Sequence, residues 1–153
     1  MKKVLRNMNA SDMELMYGWR NHPDIRSNSF NSKKLLLDNH REWFDKTLNS
    51  NSIFTYILEV DQKPAGVIRF SNDANYLAAK ISYLIDPVYH GKGLGTEILN
   101  LGIKKNKIEN SGLKKFYGYV LKKNYASIRI FEKLNFTKIS ENESELKFEK
   151  TLQ

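Results

Sequence analysis

The chain has 153 residues, no cysteine and three histidines, which leaves room for one domain and excludes disulfides, thiolate nucleophiles and cysteine-bound zinc. A hydrophobic share of 41% can fill a core, and nothing in the composition reads as disordered. Lys and Arg number 25 against 17 Asp and Glu, a formal +8, which suits an anionic partner such as nucleic acid or a small ligand bearing several phosphates.

The histidines, His22, His40 and His90, have no metal-ligand spacing, so no metal is expected. No apolar run approaches the roughly 20 residues that cross a bilayer. MKKVLRNMNASDMEL lacks the apolar segment of a signal peptide, and the expectation is a cytoplasmic protein with no membrane partner.

In chain order, KVLRNM predicts a first strand. NASDMELMYGWRN predicts a helix, with Asn9 or Ser11 as N-cap, Leu15, Met16 and Trp19 on one face, and Pro23 as its limit. HPDIRSNSFNS reads as a helical turn and a loop. KLLLDNHREWFDKTLNS predicts a second helix, with Leu36, His40, Trp43, Phe44 and Leu48 near helical spacing. SIFTYILEV and PAGVIRFSN, joined by DQK, form a hairpin signal. YLAAKISYLIDP is a third long strand closed by Pro87.

A glycine turn follows, then a helix over GLGTEILNLGIKKNKIEN. Its predicted buried stripe is Leu94, Ile98, Leu101 and Ile108, with Lys104, Lys105 and Lys107 in solvent. KKFYGYVLK predicts a strand and NYASIRIFEKLNF a helix ending at Asn135. A short strand near Phe136–Ile139 and a last one over Ser144–Lys150 complete an α/β chain with a mixed sheet and helices on its faces. One domain spans residues 1–153.

The turn HGKGLG, His90 to Gly95, is neither a Rossmann fingerprint, which needs GxGxxG after a first strand, nor a P-loop. Glycines between a strand end and a helix start let consecutive amides face outward where the helix dipole is positive. A diphosphate sits well on such a nest, and side chains at Gly91, Gly93 and Gly95 would block it or strain the turn.

This pattern resembles the GNAT superfamily of acyl-CoA-dependent N-acyltransferases. YLIDPVYHGKGLGTEIL is similar to the family's coenzyme A motif, and NYASIRIFEKLNF to its C-terminal helix. The resemblance implies a central splayed β-sheet with acetyl-CoA in the splay. Pantetheine pairs with backbone around Leu84, Ile85 and Asp86. The pyrophosphate lies on the amides of His90, Gly91, Lys92, Gly93, Leu94, Gly95 and Thr96. Asn124, Ser127 and Phe131 of the following helix meet the pantetheine arm. Acetyl passes directly to an amine in a ternary complex.

Three positions depart from the family pattern. His90 stands for Arg or Gln and can still donate to phosphate, and Asn135 stands for Gly at a left-handed cap. Phe131 stands for the tyrosine that serves as general acid, which leaves Tyr125, Tyr83 and Tyr89 as candidates.

The N-terminal third supplies the expected acceptor site. Trp19 and Trp43 can stack on a sugar or base, Arg20 or Arg26 can hold phosphate, and Asn21 falls at the same helix end. Together these residues resemble the branch that acetylates a UDP-linked 4-amino-4,6-dideoxy sugar in pseudaminic acid biosynthesis. Protein N-terminal acetyltransferases share WRN-like segments and are the alternative. A noncatalytic CoA-binding module is an alternative of another class, and a nucleic-acid module leaves the glycine turn unexplained. His40 is the expected base, with Tyr83 next, and an amide near Leu84 or Ile85 the oxyanion donor. The expected assembly is a monomer or homodimer.

Overall fold

The computed structural model describes residues 1–152. Seven strands form one sheet in the order β1-β2-β3-β4-β5-β7-β6. They are β1 (Lys3–Asn7), β2 (Ile53–Val60), β3 (Lys63–Asn72), β4 (Ala78–Ile85), β5 (Lys115–Leu121), β6 (Thr137–Glu141) and β7 (Glu145–Thr151). Every pair is antiparallel except β4 and β5. Five helices accompany them: α1 (Met13–Asn21), α2 (Pro23–Arg26), α3 (Leu37–Leu48), α4 (Leu94–Glu109) and α5 (Tyr125–Lys133). No helix among the described residues is long and apolar enough to cross a membrane.

The helices divide the apolar side chains between two cores. Leu94, Ile98 and Leu99 of α4 and Phe131 of α5 pack on one face of the sheet against Ile68, Phe70 and Phe116. Met16 and Trp19 of α1 and Phe44 of α3 pack on the other face against Ile57 and Val67. Strand alternation produces the division, since Ile68 and Val67 are neighbours that point to opposite faces.

Local chemistry accounts for several boundaries. Asn9 forms a capping box with Asp12, and a 3-10 turn at Ala10–Asp12 precedes α1. The hairpin between β2 and β3 turns on Asp61 (φ 50°) and Gln62 (φ 70°), both left-handed, so its loop has two residues rather than three. Asn135 caps α5 at φ 66°, as its residue type allows.

Two expectations about the helices fail. α3 starts at Leu37, and Leu36 is its exposed N-cap instead of a member of the His40 face. Ile108 is 81% exposed, and the buried positions of α4 are Leu94, Ile98, Leu99, Gly102 and Asn106. Lys105 is half-buried, ion-paired to Glu109 at 2.8 Å and lying over the Tyr56 ring. The α4 face is set by Gly102, where the helix comes close to β3. A Cβ there would meet Ile68 Cδ1 at 2.9 Å and Phe70 Cε1 at 3.2 Å. Gly102→Val is expected to lower stability by about 1–3 kcal/mol through overpacking, read as a drop in Tm.

Candidate active site

The site begins where β4 and β5 part. They pair in register only over Ala78–Lys80 and Lys115–Tyr117, and both strands then run on unpaired with each other. A Cβ on Gly118, just past that point, would meet Phe131 Cζ at 3.0 Å and the Ile81 carbonyl at 3.5 Å. The Phe131 ring therefore sits where the strands diverge, stacked on Phe148 and edge-on to Phe136. The divergence opens a cleft of about 820 Å³ between β4, β5, the start of α4 and α5 on one side and α2 with its following loop on the other.

Pairing with β3 fixes which β4 groups face the opening. The Asp86 amide donates to the Ala65 carbonyl on β3, and Leu84 lies two residues away in the same alternation. The polar groups of Tyr83 and Ile85 therefore point into the splay, while those of Leu84 and Asp86 point at β3. His90 Nε2 lies 2.7 Å from the Ile85 carbonyl and donates to it. Thus His90 folds back on the strand end rather than toward a phosphate, and its amide is already bonded to Pro87.

The glycine turn does its work at the backbone. Gly91 (φ 78°) and Gly93 (φ 76°) are left-handed, with open space around both. Gly95 is different: a Cβ there would meet Ile130 Cδ1 at 2.6 Å, so this glycine lets α5 pack against α4. No side chain caps α4, and the first amide bond into the helix runs from Glu97 to the Gly93 carbonyl. The amides of Leu94, Gly95 and Thr96 at the helix start have no partner within the helix.

Leu84, Ile85, His90, Gly91, Gly93, Leu94, Gly95, Thr96, Asn124, Ser127, Phe131 and Tyr83 all line the cleft. Asp86 and Lys92 do not; Lys92 instead lies over the Tyr89 ring at 5.6 Å. Asn124 caps α5 by accepting from the Ser127 amide. The Tyr83 hydroxyl and Ser127 Oγ are 2.8 Å apart, and burial holds the Tyr83 hydroxyl protonated above its usual range. Tyr125 is 69% exposed and outside the cleft, which removes it as a proton donor.

The expected acceptor residues are placed differently. Trp19 is buried, and its Nε1 donates to Asp86 Oδ2 at 2.9 Å. Asn21 exchanges two hydrogen bonds with the Leu35 backbone, and Arg26 Nε donates to the Asn21 carbonyl. These three residues organise the α1–α2–α3 region and do not line the cleft. Asp24, Asn28, Ser29 and Phe30 form its wall there, and Asp24 is its one carboxylate among the described residues. The loop composition of HPDIRSNSF gives no periodicity from which to single these residues out.

His40 is fully buried. Its Nε2 lies 2.8 Å from the Met13 carbonyl, which can only accept, so this nitrogen carries the proton. Nδ1 accepts from Arg20 Nη1 at 3.1 Å. With both nitrogens occupied and no access to the cleft, His40 positions Arg20 and cannot serve as the base. Burial, with a smaller push from the Arg20 charge and against the Met13 bond, keeps its pKa below the usual imidazole value. Arg20 in turn lies 4.0 Å from the centroid of Trp43, and Arg69 of β3 lies 5.0 Å from the same ring. Arg69 was missed in the sequence, although one arginine inside the apolar run AGVIRF is a legible signal.

A family model described as "Acetyltransferase (GNAT) domain" matches residues 3–137. Acetyltransferase PseH of Campylobacter jejuni is 29% identical over 136 residues, covering 88% of this chain and 83% of that one. Spermidine N(1)-acetyltransferase of Escherichia coli (strain K12) is 25% identical over 135 residues, covering 87% and 72%. A solved domain from Methanocaldococcus jannaschii superimposes with a TM-score of 0.85 at 26% identity over 99% of both chains.

As the pH falls below about 6.5, the unfolded chain takes up a proton at His40 that the folded chain refuses, so stability declines toward the lowered folded value. Replacing the imidazole removes that dependence. The Tm of the wild type is expected to fall more steeply between pH 7 and pH 5 than that of His40→Gln, read by thermal melts across that range.

Proposed function

Since the chain belongs to the acetyltransferase (GNAT) domain family, we propose that it transfers acetyl from acetyl-CoA to the primary amine of a nucleotide-linked amino sugar. The observation that carries the transfer is the splay of β4 from β5, which ends at the uncapped start of α4. The amides of Leu94, Gly95 and Thr96 fit a pyrophosphate, and the free edge of β4 fits an extended amide-bearing arm. Arg129 and Lys133 on the same wall add positive charge for phosphate.

Bound there, acetyl-CoA would supply a thioester carbonyl that a neutral amine attacks directly, the C–N bond forming first and the C–S bond breaking as the oxyanion collapses. The inward amides of Tyr83 and Ile85 are placed to stabilise the oxyanion. Asp24 attracts the incoming ammonium, which loses one proton to water before it attacks, and its second proton returns to the Tyr83 oxygen as the amide forms. The Tyr83 hydroxyl, oriented by Ser127, gives its proton to the departing thiolate, a role that Phe131 cannot fill. The amino-sugar acceptor is supported by the similarity to PseH and by the cationic balance of the chain.

Two measurements test this reading. CoA release is expected with a UDP-linked 4-amino-4,6-dideoxy sugar, and not with spermidine or a short Ser- or Ala-starting peptide; turnover of spermidine alone would overturn the acceptor assignment. Tyr83→Phe is expected to lower kcat by about 10²-fold while the KM for acetyl-CoA stays within about threefold.

A further inference from the structure

Arg69 is the most unusual charge in the molecule. It sits mid-strand in β3, in register with Thr55 on β2 and Ser82 on β4. Partners in register point to the same face, here the face that carries α1 and α3. Its Nε is closed off from solvent and has no hydrogen-bond partner, and neither has Thr55 Oγ1 beside it. Among the described residues, no carboxylate contributes to its surroundings. Burial and the like charge of Arg20 together lower its pKa to about 10, which still leaves it a cation at neutral pH.

The contrast with Arg6 shows that this isolation is local. Arg6 pairs with both Asp12 and Glu59 at 2.9 Å. Arg20 and Arg69 share the Trp43 ring, and Arg20 alone also meets the neutral His40. Two desolvated cations without a counterion destabilise the free protein, and an anion that meets both guanidinium groups relieves both costs. Ser82 connects this cluster to the cleft, being both a cleft-lining residue and the register neighbour of Arg69.

We propose that Arg69, together with Arg20, is the specificity-determining anion receptor of the acceptor end, binding a phosphate group of the amine substrate while its amine lies in the cleft. The inference rests on the amine-acetylating reading above and assigns the substrate class to particular residues. Two guanidinium groups match the charge and the several acceptor oxygens of a phosphate better than a single carboxylate does. The same pair repels a polyamine, whose ammonium groups would meet two unpaired cations.

Coenzyme A also carries phosphates, so the test is made on protein saturated with CoA, where the α4 turn is occupied. Inorganic pyrophosphate is titrated while following tryptophan fluorescence, because Trp43 carries both guanidinium groups and the other indole, Trp19, is bonded to Asp86. The wild type is expected to bind pyrophosphate. Arg69→Met keeps the aliphatic stem and is expected to bind at least ~10-fold more weakly, whereas Arg69→Lys stays within a few fold.

The KM for acetyl-CoA is expected to be unchanged in both variants, and the Tm of Arg69→Met equal to or above that of the wild type. Pyrophosphate that binds only the CoA-free protein, or binds Arg69→Met as it binds the wild type, overturns the proposal. So does no binding at all. A lower Tm in Arg69→Met with unchanged pyrophosphate affinity would make the residue purely structural. This readout needs no turnover, so a wild type that acetylates a different amine overturns the acceptor assignment while the binding result still decides the role of Arg69.

Discussion

The parting of β4 from β5 after three residue pairs is the constraint on which the rest of the structure depends. Each strand is held firmly on its other edge, β4 by β3 as far as Ile85 and β5 by β7 as far as Leu121. The gap cannot close by a shift of either strand without breaking an antiparallel ladder. Phe131 fills the point of divergence, and the unsatisfied strand edge beyond it is a ready template for an extended ligand. A buried polar edge of this kind is costly unless solvent or a ligand meets it, which ties the cleft to its function.

The two sides of the site are mechanically joined through one carboxylate. Asp86 accepts from Trp19 Nε1 with one oxygen and from the Val88 amide with the other. It therefore links α1, on the acceptor side, to the turn that leads into α4, on the cofactor side. From α3, His40 holds Arg20 of α1 against Trp43. The acceptor region is thus built from side chains that orient one another more than from side chains that reach into the cleft.

This arrangement explains why neighbouring motifs differed in legibility. Gly91, Gly93 and Asn135 could be read from the sequence because their constraint is a left-handed φ, a property of one residue and its immediate chain. His40, Trp19, Asn21 and Tyr125 could not be assigned, because helical spacing gives a face but not the atom opposite it. Met13, Asp86 and Leu35, the partners of the first three, lie 27, 67 and 14 residues away. Ile108 failed for a related reason, since the spacing continues to the end of α4 after the helix has passed the sheet.

By itself the sequence determined the α/β class, the order of the elements and the strand-to-helix glycine turn, since all of these follow from local propensity and periodicity. Only the tertiary structure decided which β4 groups face the splay, that His90 turns back on Ile85, that His40 is locked away from the cleft, and that Arg69 stands beside Arg20 with no carboxylate. Those are matters of which atoms meet across strands and helices. Burial and pairing of charge are set by such meetings, and no spacing along the chain encodes them.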